Sequence, residues 1–219
     1  MNFNWENLPR DLSEKSFSQY REVVEKVIAI EAPELNESHQ EDNYPLQMFL
    51  DRIAKAKDIF TVSQISSIVF LLRTDCNIDL QDKVGNTALH CASNLFPIRT
   101  SEHCPETFTD LLKLVFSIRN CEVQNKKGCT ALHILAKTFF LSQNYNSSDI
   151  LSAFDLLSTK ENVNIPDINF VTPYTWILRG KMVAENVAEN NGIFTDIEKI
   201  LIKKGACLEM AEKGLGATL

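Results

Sequence analysis

Glycine and proline are both scarce in this 219-residue chain, at seven residues each, which suits a mostly helical protein. Basic charge is not in excess either: 22 Lys and Arg face 29 Asp and Glu. The composition therefore lacks a polybasic footprint, and neither nucleic acid nor an anionic membrane is an expected partner. No apolar run approaches a membrane span; the most hydrophobic stretch, Ile65 to Leu72, is broken by Ser66 and Ser67. The opening Met-Asn-Phe-Asn-Trp-Glu-Asn lacks the basic start and apolar run of a secretion signal. Six cysteines form no CxxC pair and no regular spacing, so they read as reduced, buried, small apolar residues. A soluble, monomeric, cytoplasmic protein is predicted.

Signatures of catalysis are missing too. There is no phosphate-cradling GxxxxGK, no HExxH and no GxSxG. His90-Cys91 and His103-Cys104 are neighbours in sequence, whereas a nucleophilic cysteine needs its base across space. Four scattered histidines make no metal site. No catalytic residue, no cofactor and no metal are expected.

What the chain does have is apolar content of 44%, enough to bury a core, and internal repetition. Asp82-Lys83-Val84-Gly85-Asn86-Thr87-Ala88-Leu89-His90 is echoed by Asn125-Lys126-Lys127-Gly128-Cys129-Thr130-Ala131-Leu132-His133. A weaker copy is Asp167-Ile168-Asn169-Phe170-Val171-Thr172-Pro173-Tyr174-Thr175, so the steps are 43 and 42 residues. Leu71 to Asp79, Leu156 to Asn164 and Leu201 to Glu209 form a second, tail-like set of copies. Gly85 and Gly128 fall where a tight turn needs a positive φ. Thr87 and Thr130 suit a helix N-terminus, where the hydroxyl can accept a free backbone N–H. Phe108, Leu111, Leu112, Val115 and Phe116 recur at helical spacing, as do Ile150, Leu151, Phe154 and Leu157.

These two half-patterns resemble the ankyrin repeat, D-x-x-G-x-T-P-L-H-x-A followed by a helix pair ending L-L-x-x-G-A-D-V-N. The resemblance implies an all-α solenoid of helix-turn-helix units covering residues 45–219. Repeats are expected at about 45–81, 82–124, 125–166 and 167–211, with another opening at 212–219. In the first, Pro45 to Lys57 would be the inner helix and Thr61 to Thr74 the outer one. The repeat of that family has 33 residues, so each unit here carries roughly nine to twelve extra. These fall at Phe96 to Pro105, Phe140 to Ser148 and Gly180 to Phe194, the last being either a loop or a helix extension.

Residues 1–44 differ, since residues 1–50 hold ten acids against four bases. Ser13 to Ile30 reads as an amphipathic helix capping the array, and Glu34 to Tyr44 as an acidic linker. Leu8-Pro9-Arg10-Asp11-Leu12 resembles the opening of an F-box, which would instead make the chain a ubiquitin-ligase substrate adaptor; an unrelated docking helix is the third option. At the other end, Gly216-Ala217-Thr218-Leu219 echoes Gly-x-Thr. That echo suggests a chain that continues, with this part as the recognition half of a longer enzyme. Eighteen asparagines and long insertions resemble the ankyrin effectors that intracellular bacteria deliver into the host cytoplasm.

The resemblance implies a protein-binding module whose contacts are the turn tips and the concave face of the inner helices. By position, the tips are Lys83 and Val84, Lys126 and Lys127, and Ile168 and Asn169, the last pair weakened by Phe170 and Thr175 standing where Gly and His occur earlier. The inner-helix rows are Cys91, Ile134 and Trp176, then Asn94, Lys137 and Arg179. Of these, Lys83, Lys126, Lys127, Ile134, Lys137, Trp176 and Arg179 are the candidate partner-binding residues. Their charge favours an acidic patch on a partner protein. Trp176 is either an interface anchor or a filler beneath the third insertion.

Overall fold

The computed structural model describes residues 21–22, 25, 44–55, 61–73, 76–97, 107–142, 145–187 and 192–216. Ten helices have defined bounds and no described residue is in a strand, so the protein is all-α there. In order they are α1 (Pro45–Lys55), α2 (Val62–Arg73), α3 (Ala88–Ser93), α4 (Phe108–Val115) and α5 (Ile118–Glu122). Then follow α6 (Ala131–Phe140), α7 (Ser147–Leu157), α8 (Pro173–Val187), α9 (Gly192–Lys203) and α10 (Leu208–Leu215). The chain divides into two compact units, Met1–Phe116 and Ser117–Leu219. The division falls inside the repeat expected at 82–124.

In the first unit, apolar residues at three- and four-residue spacing decide which helix face is buried. Leu46, Phe49, Leu50 and Ile53 of α1 are buried, as are Val62, Ile65, Ile68, Val69 and Leu72 of α2. Each such side chain contributes about 1.5–3 kcal/mol relative to exposure. First helix packs on first helix, α1 on α3, and second on second, α2 on α4. Helix starts are capped. The Thr61 N–H donates to Gln64 Oε1 at 3.0 Å, and that of Thr107 to Asp110 Oδ2 at 3.1 Å. Phe108, Leu111, Leu112 and Val115 are buried as their spacing predicts; Phe116 ends the helix half-buried.

The second unit repeats this two-layer arrangement. Helices α6, α8 and α10 pack in succession, while α7 packs on α9. Phe139 holds the aromatic centre, with ring centroids 5.9 Å from Phe154 and 5.1 Å from Phe194. Gly180 lies against the Phe194 ring, where a Cβ would collide with it unless the ring shifted. Ile150, Phe154 and Leu157 are buried; Leu151 is half-buried, turned off the core face.

Several expectations change. Residues Gly180 to Val187 continue α8, so the helix extension is the form found there. The short helix α5 is additional, signalled by Ser117 and Asn120 in reciprocal capping positions. Residues 212–215 belong to a helix already begun at Leu208, and Gly216 ends it with φ −78. The positive φ of the earlier turn glycines is not reproduced at Gly216. Of the expected N-terminal helix only Arg21, Glu22 and Glu25 are described, and these are helical, with Arg21 Nε 2.9 Å from Glu25 Oε1. The rest of Ser13 to Ile30, Leu8 to Leu12, the linker before Tyr44, and His103 and Cys104 lie outside the described residues.

Candidate functional site

Three turns carry one bonding pattern. Asp82 Oδ1 accepts the N–H of Val84 and Asn86, Asn125 Oδ1 those of Lys127 and Cys129, and Asp167 Oδ1 those of Asn169 and Val171. A backbone pair closes each turn, between Asp82 and Asn86, Asn125 and Cys129, and Asp167 and Val171, at 2.9 Å every time. The fourth residue is Gly85 at φ 82, Gly128 at φ 73 and Phe170 at φ 62. The positive φ expected at the two glycines is present. Phe170 takes the same conformation with a bulky side chain, at a cost of roughly 1–2 kcal/mol.

Past each turn a helix starts in the same way. The Thr87 and Thr130 N–H groups donate to Nδ1 of His90 and His133, at 3.2 and 3.1 Å. The threonines are the N-caps as expected, but each hydroxyl lies 2.9 Å from that same imidazole nitrogen. In the third copy Thr172 N–H donates to Thr175 Oγ1, so a hydroxyl replaces the ring. The turns of the second unit are also tied to each other. Ile168 N–H donates to Lys127 O, Gln124 Nε2 to both Gly128 O and Pro166 O, and His133 Nε2 lies 3.1 Å from Val171 O.

The tips themselves face solvent. Lys83 and Val84 are exposed in the first unit; Lys126, Lys127, Ile168, Asn169 and Phe170 are exposed in the second. Ile168 and Phe170 are 65% and 74% exposed, as Ile118 and Leu141 of the same unit are at 75% and 66%. Among the described residues no carboxylate pairs with Lys126, Lys127 or Lys137.

Lys137, Trp176 and Arg179 come together on α6 and α8. Lys137 Nζ is 5.6 Å and Arg179 Cζ 4.9 Å from the Trp176 ring centroid, with the Phe140 ring 5.7 Å away. Trp176 is only 7% exposed, so its neighbours within the chain already cover it. Arg179 also donates to Gly214 O at 2.9 Å, fastening α10 to α8. Cys91, placed by the repeat position on the same row, is buried, and Ile134 is half-buried. Lys137 and the turn tips are exposed, while Arg179, like Ile134, is half-buried. Phe140 and Phe170 were not among the residues nominated from sequence. Phe170 carries a signal, a bulky residue at the turn's glycine position.

Beside this cluster, Tyr174 Oη donates to Glu198 Oε1 at 2.6 Å and Lys181 Nζ to Glu198 Oε2 at 2.7 Å. Burial alone would push the Glu198 carboxyl up; bonds from Lys181 and Tyr174 outweigh it and hold the group below its usual range. Burial and the Glu198 carboxylate push the Tyr174 hydroxyl up. Two thiols are held from ionising: burial raises Cys121 to about 11 and also raises Cys129. Cys91 and Cys121 are buried as expected, but Cys76, Cys129 and Cys207 are half-buried because they lie at turns and helix ends rather than on core faces. Among the described residues no group of three His, Cys, Asp or Glu could hold a metal ion. No described helix is long and apolar enough to cross a membrane.

No protein-family model matches the chain, and no curated protein does either.

Proposed function

We propose that this chain is a non-catalytic protein-binding module built from ankyrin-type repeats, recognising its partner through the turn tips and the adjoining inner-helix surface. The observation that carries this reading is the turn bonded alike at Asp82, Asn125 and Asp167 and followed each time by a threonine-led helix. Such a unit cannot bury its helices alone, so it is used by stacking, and stacking leaves a row of tips in solvent. Those tips carry lysines and large apolar side chains. The described histidines, His90 and His133, cap helices, and Cys91 and Cys121 are packed in the core, which supports a binding role over a chemical one. An acidic partner patch complements Lys126, Lys127 and Lys137.

Affinity capture from a eukaryotic lysate with wild-type and Lys126→Glu/Lys127→Glu baits tests the reading. A partner retained by the wild type and lost by the variant, with unchanged melting temperature, supports it. Equal retention of every protein by both baits contradicts it.

A further inference from the structure

The third turn departs from the other two in chemistry while keeping their geometry. Where the first two place glycine, it places Phe170 at φ 62 with its ring in solvent, and Ile168 stands exposed two residues earlier. The turn is held by Asp167 on one side, and the Phe170 carbonyl lies where a Cβ on Gly214 would meet it at 2.9 Å. Folding therefore bears the strain of a bulky residue at positive φ and gains little burial from its ring. The neighbouring tip, bonded through Lys127 O to Ile168 N–H, presents Lys126 and Lys127 with no carboxylate partner among the described residues. Two large apolar groups thus adjoin two cations that no described carboxylate pairs.

We propose that the Ile168–Phe170 tip, flanked by Lys126 and Lys127, docks a short extended peptide in which a large apolar side chain lies between carboxylates. The proposal rests on the reading of this chain as a binding module and names the chemistry of its partner. The apolar pair desolvates against the peptide's large side chain, while the lysines select for flanking acids and exclude basic sequences. Two lysines are too few to hold an anionic bilayer, which favours the peptide over a lipid surface.

Panning short random peptides, displayed on phage, against the full chain tests this. Selected peptides are then titrated by fluorescence anisotropy into wild type, Phe170→Gly, Phe170→Asn and Lys126→Glu/Lys127→Glu. Glycine and asparagine both accept positive φ, so the turn survives in these variants, and thermal melts verify it. The expected winners combine a large apolar residue with Asp or Glu, and each variant weakens them by roughly tenfold or more. Winners lacking either feature, or binding Phe170→Gly undiminished, overturn the proposal while leaving the binding-module reading standing. Phe170→Gly altering only self-association of the chain overturns it as well. A panel with no selected peptide overturns it too, and partner capture by the wild-type bait then decides separately whether the module reading survives.

Discussion

His133 Nε2 lies 3.1 Å from the carbonyl oxygen of Val171, joining two successive turns through one buried imidazole. The opposite ring nitrogen accepts the Thr130 N–H, and a backbone N–H can only donate. Nδ1 is therefore the bare nitrogen, and Nε2 carries the proton given to Val171. Removing the ring leaves a buried donor and a buried acceptor without partners. His133→Ala is expected to cost about 3 kcal/mol, read from urea unfolding. His133→Thr is expected to cost less, because Thr175 already plays the capping part with a hydroxyl in the third copy.

The turn glycines are separable by what surrounds them. A Cβ at Gly128 would meet Ile168 N at 2.9 Å, whereas at Gly205, φ 98, it would meet only Lys160 Cγ at 4.0 Å. Both substitutions incur the backbone penalty of about 1 kcal/mol, but only Gly128→Ala also collides with the next turn. Gly128→Ala is expected to destabilise by about 2–3 kcal/mol and Gly205→Ala by about 1 kcal/mol, compared by denaturant midpoints.

Phe170→Gly runs the other way. Relief of the left-handed strain exceeds the extra flexibility glycine gives the unfolded chain, so a gain of about 0.5–1 kcal/mol is expected. A loss of that size would show that the exposed ring contributes to folding.

The Tyr174–Glu198–Lys181 network links α8 to α9 and sets a pH window. Glu198 has a folded pKa below its usual 4.5, so its contribution is present above that value and lost as pH falls through the folded pKa. Tyr174 has a folded pKa above its usual 10.0, so its contribution is present below that value and lost as pH rises toward the folded one. Glu198→Gln is expected to cost about 1 kcal/mol near neutrality and to flatten the acid limb of a stability-against-pH curve. An unchanged acid limb would show that other carboxylates set it.

Much of this was legible in the sequence where the repeat is strict. Gly85, Gly128 and the threonines at 87 and 130 mark turn and helix start directly. The third turn is obscure because its glycine and histidine are replaced. Its geometry survives since the Asp167 carboxylate, not the glycine, gathers the turn's N–H groups, and Thr175 supplies the capping acceptor. The sequence left Trp176 open between an interface anchor and a filler, and the ring is buried. Arg179, three residues on in the same helix, is over the ring as helical spacing allows, but Lys137 lies on another helix about forty residues away, which no linear spacing shows. The short helix α5 shows in the sequence only through its capping residues, because five residues are too few for a hydrophobic period to register.

The most direct test of the central claim is the affinity of a captured partner for wild type and for Lys126→Glu/Lys127→Glu, measured by titration calorimetry. Recognition at the tips predicts a loss of roughly tenfold or more, with both proteins melting alike. Equal affinity for the two proteins would place recognition elsewhere and contradict the account.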